Sequence, residues 1–187
     1  MCNSLNIVSY VSRGGTIELP IFIACSALIT YLSRNGLRER HSYGYYRFFL
    51  LEFILLLIVA NLHAWFNDPL SPLQVLSWVS LLVSVYLAIS GFRLLGLKGA
   101  TGTEESDELV ESGIYRRIRH PLYSSLLFLA LGVYLKKPSL FSSILILGSV
   151  FTLMATVVAE EKLNEEKFGS RYVDYKRRTK AFIPYIF

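Results

Sequence analysis

Cysteine and charge are both scarce in this chain of 187 residues. The two cysteines, Cys2 and Cys25, stand at no metal-like spacing. That excludes a disulfide framework and a zinc site built on cysteine pairs, and no other metal-ligand cluster is visible. Only 18% of the residues are charged, against roughly 25% in a soluble domain. No GxSxG, P-loop or GxGxxG pattern occurs, so the nucleophile elbow, the Walker phosphate loop and the dinucleotide fingerprint are excluded. Repeats and low-complexity tracts are also missing. Residues 1–15 lack a basic stretch followed by an apolar run and a small-residue cleavage site, so no cleavable signal peptide is expected and the first span stays in the protein.

What is present is apolar. Hydrophobic residues make up 53% of the chain, and its mean hydropathy is +0.44. Disorder is excluded by that composition and a water-soluble globule is disfavoured. The expectation is an all-α polytopic membrane protein of about five transmembrane helices, forming one unit over residues 1–187. The net charge of +5 then reads as basic cytoplasmic loops, with no need for a nucleic-acid partner.

A bilayer core of about 30 Å needs roughly 20 apolar residues in a helix. Five segments approach that requirement: residues 17–32, 48–66, 72–95, 122–135 and 140–159. Lys136-Lys137-Pro138 reads as the turn of a hairpin joining the last two. Lys and Arg concentrate after the first span (Arg34, Arg38, Arg40, Arg47), after the third (Lys98, Arg116, Arg117, Arg119) and in the tail. This bias predicts an N-terminus outside and a C-terminus in the cytoplasm. Lys136 and Lys137 are a small contrary signal. Residues 1–97 would supply three membrane helices, and residues 98–187 a half in which polar stretches flank the hairpin on its cytoplasmic side.

Those polar stretches carry the chemistry. Residues 113–123 read GIYRRIRHPLY and press three arginines, a histidine and two tyrosines against a helix start. Cations there ordinarily snorkel or meet anionic headgroups, the plain reading of Arg116 and Arg117. His120 precedes Pro121, where it serves either as a helix cap or as a group that exchanges protons near neutral pH. Glu160-Glu161 closes the fifth span where cations are favoured, so a carboxylate there is a candidate holder of an ammonium or sulfonium. Glu161, Glu165 and Glu166 near Lys162 and Lys167 read as a solvated helix face, with Gly169 as its stop. Tyr172 and Tyr175 read as a headgroup-level segment. Glu52 reads first as a helix–helix polar contact and second as a substrate contact.

Three pieces in order, LVxSGIYRRIRHPLY (residues 109–123), Glu160-Glu161 with Phe168-Gly169, and Tyr172-x-x-Tyr175 with Phe182-x-Pro184, resemble the isoprenylcysteine carboxyl methyltransferase family. The wider group includes phospholipid N-methyltransferases, and the resemblance covers about the last 90 residues. It implies an integral membrane enzyme that uses S-adenosyl-L-methionine, with its site facing the cytoplasm. Cofactor contacts carried over by position are Asp107, Glu108, Leu109, Val110, Tyr115, His120, Pro121, Leu122, Tyr123 and Glu160. His120 and Glu160 would position groups, with no residue assigned to covalent catalysis. The family often places an Arg one turn before the first Glu. Thr156 stands there, and Ala100 aligns with an upstream Gln of eukaryotic members. Substrate-side candidates are Arg117, Glu52 and Thr156. The implied function is methylation of a lipophilic acceptor in the bilayer, a prenylcysteine-like carboxylate first, with a phospholipid or other lipid amine as the alternative. A non-enzymatic membrane scaffold or lipid-binding protein, and a sterol-type reductase using NADPH, are the remaining readings.

Overall fold

The computed structural model describes residues 4–65, 71–101 and 109–183. Six helices account for most of them: α1 (Ser4–Arg38), α2 (Tyr43–Asn61), α3 (Pro72–Thr101), α4 (Pro121–Lys136), α5 (Leu140–Phe168) and α6 (Ser170–Arg178). The described residues contain no strand, only an isolated bridge between Ile118 and Lys180. The all-helical expectation holds.

Helices spanning Tyr43–Ala64, Pro72–Gly96 and Leu140–Phe168 are long and apolar enough to cross a membrane. Pro121–Lys136 is apolar but, at 16 residues, only about 24 Å long. The first expected span lies inside α1, which carries Pro20. The outer surface agrees with lipid contact: Leu82, Tyr86, Leu147 and Phe151 are each about 70% exposed, which water would disfavour.

Hydroxyl caps set the turns. Ser42 Oγ accepts from the Tyr45 N–H at 3.1 Å and donates to the Gly36 carbonyl at 3.1 Å, closing the α1–α2 corner. A Cβ on Gly36 would stand 2.8 Å from the Gly44 backbone, so only glycine lets these helix ends touch. Ser139 accepts from the Ser142 N–H at 3.1 Å and starts α5 straight after the α4 turn, as the hairpin reading required.

Two antiparallel pairs build the body. On α3, Ser77, Ser80 and Ser84 donate to the α4 carbonyls of Gly132, Phe128 and Ser125 at 2.6, 2.8 and 2.7 Å. Their spacing places all three on one helix face. On the other side, Asn61 Nδ2 of α2 donates to Ser142 Oγ of α5 at 3.3 Å. Leu50, Ile54 and Leu57 of α2 meet Val133 of α4 and Leu145, Leu153 and Val157 of α5 in the core. Glu52 accepts from Ser26 Oγ of α1 at 3.0 Å, the helix–helix contact expected of it.

Every basic segment except Lys136-Lys137 therefore falls at one end of the bundle. Lys136 is buried: its Nζ donates to Gln74 Oε1 at 3.0 Å and stands 3.6 Å from the centre of the Trp78 ring. That lysine is packed inside the fold, which removes it from the loop charge count. Gly96, at φ 72° and ψ 167°, interrupts α3 next to the expected boundary at residue 97.

Candidate active site

The site forms where the α5 exit meets the loop before α4 and the chain after α5. Gly169, at φ 57°, stops α5 and turns the chain back into α6. Extended backbone then runs beside the arginine-rich loop. Lys180 N–H donates to the Arg117 carbonyl at 3.1 Å, Arg119 N–H to Lys180 at 2.8 Å, and His120 N–H to Ala181 at 3.1 Å. Ser124 Oγ adds a bond to the Phe182 carbonyl at 2.8 Å. Tyr175 Oη donates to the Tyr115 carbonyl at 2.7 Å. Tyr172 and Tyr175 are thus buried beneath the loop, which corrects the headgroup reading: their rings fill the inner face of a short helix whose outer face is cationic. Burial, together with the nearby Glu160, pushes the Tyr115 phenol above its ordinary range; burial dominates for Tyr172 and Tyr175 as well.

Glu161 is the hub of this closure. Its Oε1 accepts from Arg119 Nε at 2.9 Å and stands 3.2 Å from His120 Nε2, and its Oε2 stands 2.7 Å from Lys176 Nζ. Arg119 Nη1 also donates to the carbonyls of Lys176 and Thr179. The Glu161 side chain is only 12% exposed. The solvated-face reading of Glu161 is therefore overturned: periodicity showed neighbours on its own helix, whereas its partners come from the α4 loop and α6. Bonds to Glu161 and Glu165 raise the Lys176 ammonium above its usual value. Glu111, unassigned in the sequence reading, accepts from Arg171 Nε at 3.0 Å and Arg178 Nη2 at 2.9 Å, clamping the same helix.

His120 occupies the position before α4, but its side chain does not cap the helix; it is buried and turned to Glu161. Pro121 is buried in the first turn, and its neighbour Leu122 packs on Gly91 of α3. The Tyr123 ring lies 5.7 Å from the His120 ring. Leu109 and Val110 are half-buried where the loop approaches; Asp107 and Glu108 lie outside the described residues.

Glu160, the neighbour of the hub, behaves differently. Its Oε2 is buried without a hydrogen-bond partner among the described residues. Tyr115 stands within its field, and the Tyr123 side chain is hydrogen-bonded to the carboxylate, so Oε2 is the oxygen left open. A buried carboxylate oxygen left unmet costs about 1–3 kcal/mol or more, so such a group persists where a ligand satisfies it. The substrate-side candidates do not converge here. Arg117 is exposed and engages through its backbone. Thr156 is fully buried and spends its hydroxyl on the Thr152 carbonyl at 2.7 Å.

A sequence model of the phospholipid methyltransferase family matches residues 73–171, from the start of α3 through the Glu160-Glu161 pair to α6. The chain belongs to the phospholipid methyltransferase family. The match begins upstream of the 90-residue stretch that carried the resemblance, so α3 belongs to the family's shared part. Protein-S-isoprenylcysteine O-methyltransferase B of Arabidopsis thaliana is 31% identical over 84 residues, 44% of this chain and 43% of that protein. The chain thus spans less than half the length of this relative. No solved structure matches.

Proposed function

We propose that this chain is an S-adenosyl-L-methionine-dependent membrane methyltransferase that acts on a lipophilic acceptor, with a prenylcysteine-like carboxylate as the first substrate class. The observation that carries the reading is the buried, unmet Oε2 of Glu160. It fits the cofactor, which presents an ammonium and a sulfonium to a carboxylate. Family membership and the isoprenylcysteine-named relative support the same chemistry.

In this reading Glu160 binds a cationic group, with Tyr115 and Tyr123 beside it. Leu109, Val110, Pro121 and Leu122 supply apolar and backbone contacts, as do Asp107 and Glu108 at positions carried over from the family. His120 acts as a positioning residue, because its ring is spent on Glu161. The bound cofactor would supply a methyl group whose carbon–sulfur bond breaks as the new bond forms, returning the electron pair to sulfur. The protein's own task is alignment and exclusion of water. A carboxylate acceptor brings no proton to remove. An amine must lose one, and the Tyr115 phenol near Glu160 is held to its proton by burial, so it offers no base.

The Lys and Arg bias supports a cytoplasmic face at the end of the bundle that holds the basic loops, with the N-terminus outside. The cofactor arrives from that side and the acceptor from the bilayer. Residues 98–187 supply the cofactor half, and α1 to α3 the membrane support. Transfer of labelled methyl from the cofactor to a panel of prenylcysteines, phospholipid amines and lipophilic thiols tests the reading. Label in the prenylcysteine ester is expected, and a full panel without product refutes it.

A further inference from the structure

At the end of the bundle away from Glu160, a second group of buried polar side chains takes no part in the site described above. Lys136 closes α4, Gln74 lies in the first turn of α3, and Trp65 follows the short turn Leu62–Ala64 after α2. Lys136 is only 5% exposed. Its ammonium has three hydrogens to give, and one reaches Gln74 Oε1 at 3.0 Å. Gln74 Nε2 donates to the Ala64 and Lys136 carbonyls at 3.3 and 3.1 Å, which holds the amide in place with its oxygen toward the ammonium. The ring centres of Trp78 and Trp65 lie 3.6 and 5.5 Å from Lys136 Nζ, with the two rings 6.1 Å apart.

Two features of this cage are unmatched. Among the described residues no carboxylate stands within ion-pair distance of Lys136; Glu18, at the same end, stands 3.8 Å from His63 Nδ1. The indole N–H of Trp65 is buried with no acceptor. Aromatic faces offset part of the cost of taking an ammonium out of water, but a buried charge ordinarily has an opposite charge beside it. A buried indole N–H ordinarily finds a partner as well. A cation and a neutral donor in one cage, both short of acceptors, call for one kind of group: negative charge with more than one accepting oxygen. Phosphate is such a group, and lysine meets it as a point charge. The depth agrees. Here α3 begins and α4 ends, at the level where membrane helices meet headgroups and Trp gathers. Leu62, His63 and Lys137 form an exposed rim beside the cage, with Lys137 Nζ 3.3 Å from His63 Nε2.

We propose that Lys136 and Trp65 form a binding site for a phosphate oxyanion, carried at this depth by the headgroup of a phospholipid. The ammonium supplies the charge and the indole N–H a directed donor, while Gln74 and the Trp78 ring hold the ammonium in place. The site shares no residue with the Glu160 pocket and stands whether or not the chain transfers methyl groups.

Trp65 and Trp78 are the two tryptophans of the chain, so tryptophan fluorescence reports this cage alone. The full-length protein in dodecyl maltoside micelles is titrated with three probes. These are dioctanoyl phosphatidylglycerol, dioctanoylglycerol, which keeps the chains without the phosphate, and inorganic phosphate. A saturable change with the phosphatidylglycerol and none with dioctanoylglycerol is expected. Inorganic phosphate, lacking the chains, should bind at least about 10-fold more weakly. Lys136→Met should weaken lipid binding by about 10-fold or more, the loss of the charge-assisted contact. Trp65→Phe keeps a ring and removes the N–H, and should weaken binding about 5-fold, with Trp78 as the remaining reporter. A circular dichroism helix signal equal to that of wild type shows each variant folded, and Trp65→Phe decides alone if Lys136→Met does not fold. No saturable change, an equal response to dioctanoylglycerol, or unchanged affinity in either folded variant overturns the site; the C-terminal carbonyls of α4 then compensate the Lys136 charge. Inorganic phosphate binding as tightly as the lipid upholds the oxyanion cage and overturns the phospholipid as its source.

Discussion

Glu161→Gln is the perturbation that separates the two members of the acidic pair. Glu161 receives Arg119, His120 and Lys176 at 2.9, 3.2 and 2.7 Å, and its side chain is 12% exposed. Gln keeps the shape but loses the charge, leaving the guanidinium of Arg119, itself about 10% exposed, facing a neutral amide. Breaking a buried ion pair from one side costs about 3–5 kcal/mol. The Lys176 arm is 39% exposed and screened by water, so it adds little. The Arg119 bonds to the Lys176 and Thr179 carbonyls survive, which places the expected loss near the lower end, about 3 kcal/mol. For a chain of this length that is a fall of roughly 6–12 °C in Tm. The neighbouring change, Glu160→Gln, removes a charge whose Oε2 has no hydrogen-bond partner among the described residues and should leave Tm unchanged or slightly higher. Thermal unfolding in detergent, followed by circular dichroism at 222 nm as the usual helix signal, compares the two proteins. Equal shifts for both variants, or none for Glu161→Gln, would refute the division of labour drawn here.

Three further outcomes follow from the packing. Lys136→Met should lower stability by about 1–2 kcal/mol, because the Trp78 cation–π contact and the bond to Gln74 are lost while the apolar stem is kept; melting curves check it. Replacing Ser77, Ser80 and Ser84 together by Ala should cost roughly 2 kcal/mol at about 0.6 per interhelical bond, read as faster unfolding in SDS titrations. Lys176 and the phenols of Tyr115, Tyr172 and Tyr175 all hold their protons more tightly folded than unfolded. Their contribution is fully present below the unfolded pKa values, about 10 to 10.5, and is lost as pH rises through the folded values. Stability measured between pH 8 and pH 11 should therefore be flat to about pH 9.5 and then fall; a rise across that window contradicts the assignment.

The helices were legible because their signal is local. Continuous apolar runs mark α2, α3 and α5, Pro121 opens α4, and Gly169 closes α5. His120 and Glu160 stood out because charge at a membrane helix end needs a reason. Glu161 was misread because its partners are 42 and 15 residues away in the chain, Arg119 and Lys176, and helical spacing reports only neighbours on the same face. Tyr172 and Tyr175 failed similarly: a short helix rich in Arg and Lys looks like a surface until the loop it covers is known. Lys136 looked like a loop charge because nothing in its own stretch shows Trp65, Trp78 and Gln74 gathering around it. Residues that meet across three helices leave no spacing to read.

The central claim is that the buried carboxylate of Glu160 completes a site for the cofactor. Calorimetric titration of S-adenosyl-L-methionine into the wild-type protein and Glu160→Gln, both in nanodiscs, tests it most directly. A single site in wild type, weakened by about 10-fold or more in a Glu160→Gln protein of unchanged Tm, is the predicted result. Equal affinity in the two proteins, or no binding to wild type, contradicts it.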